Sequence, residues 1–120
     1  MNEPMRVTKE TLIDSLRTAL PGFEINSEFA EDGLGYPIFN DLARYVCDQA
    51  QVGDFDEVKD SLAFLELSLQ GGDAYIHDLV LECLETLVSC KEIGSIKQHF
   101  GARVEDLSRA FFQKDDAKPF

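Results

Sequence analysis

The chain has 120 residues, a formal net charge of −12 and a hydrophobic share of 44%, proportions typical of one folded domain that exclude wholesale disorder. Because acids outnumber bases by 23 to 11, the surface repels nucleic-acid backbones and anionic membranes and attracts cationic proteins. We therefore expect no nucleic acid and no membrane among its partners. No apolar run approaches the roughly 20 residues that span a bilayer, and Met1 to Glu10 do not resemble a secretory signal, which predicts a cytoplasmic protein.

Apolar residues in the first half of the chain recur at three- and four-residue steps, which predicts helices. The first helix is expected to begin with Thr8 as its N-cap and to end at Pro21. The next segment, residues 23–37 with the sequence FEINSEFAEDGLGYP, shows no sustained period and is rich in acids, so we predict a loop. Pro37 suits the first turn of a second helix, which Gly53 ends.

The second half of the chain contains further helices with clear start signals. Asp54 followed by Glu57 is a capping-box arrangement at the start of the third helix, and Asp73 caps the fourth. The third helix is apolar on two sides, which predicts a central position in the fold. The fourth carries an almost unbroken apolar stripe with Leu84 in its middle. A shorter helix is expected over residues 93–100, and a last one follows it.

No run of alternating apolar and polar residues rich in Val, Ile and Thr supports a strand. The predicted fold class is therefore all-α. We expect a single compact domain over residues 1–120, with about five or six helices arranged as HEAT-like antiparallel pairs. Residues 1–7 and 114–120 are predicted to be frayed.

The sequence contains no motif of a catalytic, metal or cofactor site. Its two histidines, His77 and His99, occur in no HExxH pattern, no Glu-x-x-His is present, and no glycine-rich phosphate loop is found. Cys47, Cys83 and Cys90 form no CxxC pair and are predicted to be free thiols. We expect neither an enzyme nor a bound metal or cofactor.

Negative charge is concentrated in the middle of the chain, where Arg44 and Lys59 are the only bases between Ala19 and Cys90. On the fourth helix, acids at positions i, i+4 and i+7 fall on one face, away from the apolar stripe. Charged helical faces are commonly just solvated, but carboxylates without balancing lysines also suit the docking of a basic protein. The predicted partner-binding residues are Asp78, Glu82, Glu85, Asp56, Asp60, Glu28, Glu31, Asp32 and Tyr36, with Phe39 and Tyr75 as further candidate aromatic anchors.

Two runs in the C-terminal half carry a family resemblance, FLELSLQGGDAYIHDLVLECLETL and IKQHFGARVEDLSRAFF. The matching residues form a Phe-Leu-Glu helix, a Gly-Asp turn, a Leu-Glu-x-Leu helix end and a Phe-Gly break, at Phe64, Leu65, Glu66, Gly72, Asp73, Leu84, Glu85, Leu87, Phe100 and Gly101. The chain resembles a family of small all-helical bacterial proteins of unassigned function, similar to immunity proteins of polymorphic and contact-dependent toxin systems. The resemblance implies binding of a cognate protein toxin and transfers no catalytic residue.

These observations together predict an immunity protein that neutralises a cognate toxin domain, a cationic nuclease, by covering it with an acidic surface. Two alternatives stay open. The chain could be a HEAT-like helical adaptor for another basic protein, or an acidic nucleic-acid mimic that inhibits a DNA-binding machine. A toxin gene directly upstream would favour the immunity protein over both.

Overall fold

In a computed structural model of the chain, residues 7–71 and 73–116 are described, with side chains up to residue 111. These residues form seven α-helices and one short 3-10 turn, and they contain no strand. The helices are α1 (Leu12–Ala19), α2 (Ser27–Asp32), α3 (Gly35–Gln51), α4 (Phe55–Gln70), α5 (Ala74–Val88), α6 (Ile93–Ile96), which the 3-10 turn Lys97–His99 follows, and α7 (Ala102–Asp116). The predicted all-α fold class is confirmed.

The helix α2 lies inside the segment for which the sequence predicts a loop. It begins after Asn26, whose side-chain oxygen accepts hydrogen bonds from the N–H groups of Glu28 at 2.9 Å and Phe29 at 3.4 Å. It ends at Gly33, which adopts the left-handed conformation with a φ of 65°. The loop prediction is wrong for this stretch, because a helix of six residues is too short to show an apolar repeat.

Both predicted aspartate caps are confirmed. The carboxylate of Asp54 accepts a hydrogen bond from the N–H of Glu57 at 3.2 Å, at the start of α4. The carboxylate of Asp73 accepts hydrogen bonds from the N–H groups of Tyr75 at 2.9 Å and Ile76 at 3.3 Å, at the start of α5. Each cap satisfies backbone donors that the first turn of a helix leaves unpaired.

The second half of the predicted capping box is replaced by other bonds. The N–H of Asp54 donates to the carbonyl of Gln49 at 2.8 Å, and the hydroxyl of Tyr45 pairs with the carboxylate of Glu57. Burial together with this bond raises the pKa of Tyr45 to about 12. The bond between Tyr45 and Glu57 places the start of α4 beside the second half of α3. The ring of Phe23 packs on Tyr45 with 5.1 Å between centroids.

The helix α1 begins at Leu12, one turn later than predicted. The turn before it is closed by two reciprocal bonds: the N–H of Thr8 donates to Oγ1 of Thr11 at 2.9 Å, and the N–H of Thr11 donates to Oγ1 of Thr8 at 3.3 Å. Thr8 therefore stabilises the turn before α1, and the N-cap residue of the helix is Thr11.

The core is built around α4, which packs against α1, α3, α5 and α7, as its two apolar sides predict. The most extensive contact between two helices joins α3 and α5. The buried side of α5 reproduces most of the predicted apolar stripe, with Ile76, Leu79, Val80, Cys83, Leu84 and Leu87. The acids of α5 are left on its other side.

Residues 1–6 and 117–120, which make up most of the segments predicted to be frayed, lie outside the described residues. Val7 is fully buried, and residues 114–116 belong to α7. Of the helices that the structure describes, none combines the length and the apolar character needed to cross a membrane.

Candidate functional site

Three acids form a line along the solvent side of α5. Asp78 and Glu85 are exposed, and Glu82 is half-buried. At 1.5 Å of rise per residue, the line is about 10 Å long. It lies opposite buried residues such as Leu84, so the helix separates its charge from its apolar side as the spacing predicts.

The short helix α2 presents a second group of acids. Glu28, Glu31 and Asp32 are all exposed, and α2 packs against α3. The cap at Asn26 and the turn at Gly33 define both ends of this helix. The acids therefore project from a helical turn with fixed ends rather than from an irregular loop.

An aromatic contact joins the first turn of α3, which follows α2, to the first turn of α5. Tyr36 lies in the first turn of α3, shortly after Asp32, and its side chain is 44% exposed. Its ring meets the ring of Tyr75 edge-on, with 6.4 Å between centroids and an interplanar angle of 89°. Asp78 follows Tyr75 by one turn of α5. We call this region the α2–α5 surface, and its members are Glu28, Glu31, Asp32, Tyr36, Tyr75, Asp78, Glu82 and Glu85.

The prediction that Phe39 is an exposed aromatic anchor is wrong. Phe39 is fully buried, and its ring lies 6.4 Å from that of Phe64 in the core. It is the apolar period of α3 that places Phe39 inside, whereas Tyr36 lies on the exposed side and Tyr75 is half-buried.

Two residues that the sequence does not single out also lie at the α2–α5 surface. Leu34, the N-cap residue of α3, is 41% exposed. The Nζ atom of Lys9 lies 5.6 Å from the centroid of the Tyr75 ring. No sequence signal reveals this contact, because it joins segments that are distant in the chain.

Asp56 and Asp60 lie at the other end of α3 from Tyr36. The helix α3 has 17 residues and is therefore about 25 Å long, with Tyr36 in its first turn. The helix α4 begins at Phe55, just after the end of α3, and both aspartates are exposed there. The structure therefore does not bring them together with the α2–α5 surface.

The acids of the α2–α5 surface take no part in the ion pairs found among the described side chains. Those pairs join Arg44 to Asp41 at 3.6 Å, Arg103 to Glu66 at 3.4 Å and Arg109 to Asp106 at 3.3 Å. Within the same part of the chain, no three His, Cys, Asp or Glu side chains are grouped so that they could hold a metal ion. The charge of the surface is thus not balanced by these bridges.

Glu66 caps the N-terminus of α7 from a different helix. Its carboxylate accepts hydrogen bonds from the N–H groups of Arg103 and Val104, each at 3.0 Å, and from the Arg103 guanidinium at 3.4 Å. A Cβ atom at Gly101 would lie 2.5 Å from Oε1 of Glu66. The Phe-Leu-Glu and Phe-Gly motifs of the family resemblance meet here, and the contact between them is a structural one.

The three cysteines are free thiols, as predicted. Burial and a hydrogen bond with Cys90 raise the pKa of Cys47 to about 12, and burial also raises the pKa of Cys83. The thiol of Cys90 donates to the carboxylate of Glu92 at 3.3 Å. Cys47 and Cys83 are therefore protonated at neutral pH, which makes them weak nucleophiles.

A family model matches residues 11–114, and its description is Domain of unknown function (DUF7674). No curated protein and no solved structure matches the chain. The matched residues include all of α1 to α6 and most of α7, a longer stretch than the C-terminal half that carries the sequence resemblance. Both the α2–α5 surface and the Glu66 cap fall within it, and the chain belongs to the DUF7674 family.

Proposed function

We propose that the chain is an immunity protein that binds a cognate bacterial toxin domain in the cytoplasm and neutralises it by covering a cationic surface. The observation that carries this proposal is the set of acids on the α2–α5 surface, which lie outside the ion pairs of the described side chains. The sequence resemblance to immunity proteins gives the class of partner.

The spacing of the acids on α5 suits rapid association with a cationic protein. Charges in physiological salt act over about 8 Å, which is close to the length of the line from Asp78 to Glu85. These acids therefore act together on an approaching partner, and the net charge of −12 adds a longer-range attraction at low salt. Protection from a toxin requires a Kd of about 1 nM or lower, and complementary charge contributes the on-rate and the orientation.

A nuclease is the toxin class that suits this surface best. Nucleases hold phosphate backbones with lysine and arginine side chains, so their substrate grooves are cationic. An acidic inhibitor that covers such a groove gains charge complementarity and excludes the nucleic acid at the same time. The acids on α2 and α5 provide that complementarity from two helices.

Reversing Asp78, Glu82 and Glu85 to lysine tests the proposal. Each reversal changes the charge by two units, so the triple variant changes it by six without removing any residue of the apolar core. We expect association with the toxin encoded by the adjacent gene to slow by at least about tenfold, and the wild-type on-rate to fall steeply as salt is raised. Surface-plasmon resonance at several salt concentrations measures both effects, and thermal melting checks that the variant is folded.

A matched control reverses Asp14, Asp48 and Glu105, which are exposed and are not among the predicted partner-binding residues. It changes the net charge by the same six units, so a general charge effect would slow both variants equally. If both variants are slowed equally, or if the folded variant with Asp78, Glu82 and Glu85 reversed binds as fast as wild type, the α2–α5 surface is not part of the interface. Co-expression that yields no complex with the toxin would contradict the immunity function itself.

A further inference from the structure

We propose that Leu34, Tyr36 and Tyr75 form an aromatic site that takes an arginine or lysine side chain of the basic partner, and that Lys9 occupies this site in the free protein. The identity of the partner as a toxin rests on the proposed function. The site itself is a property of this chain and can be tested without the toxin.

Exposed large hydrophobic side chains point to the aromatic site. In the part of the chain that the structure describes, they are Leu34 at 41%, Tyr36 at 44% and Val52 at 75% exposure. Tyr36 meets the ring of the half-buried Tyr75, and Leu34 lies two residues before Tyr36, whereas Val52 is at the other end of α3. Aromatic and apolar groups surrounded by charged residues are the usual composition of an interface centre.

The backbone and the rings of the aromatic site are already in place. A Cβ atom at Gly35 would lie 2.8 Å from Cδ1 of Leu79 and would also meet the hydroxyl of Tyr75, so glycine allows the first turn of α3 to approach α5 closely. The edge-on contact between Tyr36 and Tyr75 restricts the rotamers of both rings. A site with restricted rotamers loses less conformational entropy when it binds.

Lys9 identifies the chemistry that the aromatic site accepts. Its Nζ atom is 5.6 Å from the centroid of the Tyr75 ring, within the range of a cation–π interaction. The buried Val7 anchors the segment that carries it. The exposed Asp32 and Asp78 nearby in the chain add to the local attraction for a cation. The guanidinium of a partner arginine is planar and less strongly hydrated than an ammonium group, so it stacks on an aromatic ring more readily and displaces Lys9.

The test uses a terminally blocked hexa-arginine peptide, titrated into the ¹⁵N-labelled full chain and followed by the NMR shifts of backbone amides. We expect the shifts to include Leu34, Tyr36, Tyr75 and Lys9. Tyr75→Leu should weaken the affinity by about two- to fivefold, the range of an exposed cation–π contact. Lys9→Ala should strengthen the affinity by a similar factor, because Lys9 then no longer competes with the peptide.

The matched control for Lys9→Ala is Arg17→Ala, which removes the same charge from an exposed base of α1. It should change the affinity far less. Equal effects of the two substitutions, or unchanged binding by Tyr75→Leu, would overturn the proposal, because the peptide would then respond only to overall charge. The peptide result does not depend on the toxin, so a failure to bind the toxin would bear on the proposed function alone.

Discussion

Replacing Leu84 with aspartate is expected to destabilise the fold by several kcal/mol and to reduce the soluble yield sharply. Leu84 is fully buried in α5, which packs against α3, α4 and α7. An unpaired carboxylate in apolar surroundings costs several kcal/mol, which is comparable with the roughly 5–15 kcal/mol by which a small domain is stable. Thermal melting and urea unfolding, both followed by far-UV circular dichroism, measure the loss.

The chain offers a matched control in Leu34→Asp, the same substitution at an exposed leucine. Leu34 is the N-cap residue of α3, and aspartate is a preferred residue at that position. The free energy of unfolding of the Leu34→Asp protein should therefore differ from that of wild type by no more than about 0.5 kcal/mol. A Leu84→Asp protein that melts like wild type would show that the buried side of α5 has been assigned to the wrong residues.

Replacing Gly101 with alanine is expected to lower the free energy of unfolding by about 1–2 kcal/mol. The backbone is not the cause, because the φ of Gly101 is not positive and alanine can adopt it. The new Cβ atom would lie 2.5 Å from Oε1 and 2.7 Å from Cδ of Glu66. The carboxylate would then have to leave the N–H groups of Arg103 and Val104, and α7 would lose its cap. Urea unfolding followed by circular dichroism measures the loss.

In a Glu66→Ala background the effect of Gly101→Ala should change sign. The cap is already absent there, so alanine stabilises by up to about 1 kcal/mol through the reduced freedom of the unfolded chain. Gly94→Ala is the control, because a Cβ atom at Gly94 meets nothing within 4 Å and should be tolerated equally in both backgrounds. If Gly101→Ala costs the same free energy with and without Glu66, contact between the two residues is not the cause.

Elements with a long apolar repeat were predictable from the sequence, and so was the short helical stretch at residues 93–99, but α2 was missed. The helices α3, α4 and α5 each have at least 15 residues, enough for several turns of the repeat, and Asp54 and Asp73 mark two of their starts. The six-residue α2 has too few turns, and its cap at Asn26 sits in a stretch rich in other polar residues. Only the return bond of the capping box was predicted wrongly, because Glu57 finds a tertiary partner in Tyr45, which no local pattern reveals.

The candidate site was predictable only where its geometry is local. The alignment of Asp78, Glu82 and Glu85 follows directly from the helical period. The segments that lie beside these three acids are determined by tertiary packing, in particular by the close approach of α3 to α5 at Gly35. The position of Lys9 over Tyr75 likewise depends on the path of the N-terminal segment.

The bonds of Glu66 also constrain the order in which the protein folds. They connect α4 to a residue 37 positions later in the chain, so the first turn of α7 is completed only by a distant partner. Closing so long a loop costs entropy before any bond forms, whereas α4 and α5 gain contacts at much smaller sequence separation. We therefore expect the pair α4 and α5 to assemble before α7 docks on it. During synthesis on the ribosome, the cap of α7 can form only after Arg103 and Val104 have emerged, well after Glu66 itself.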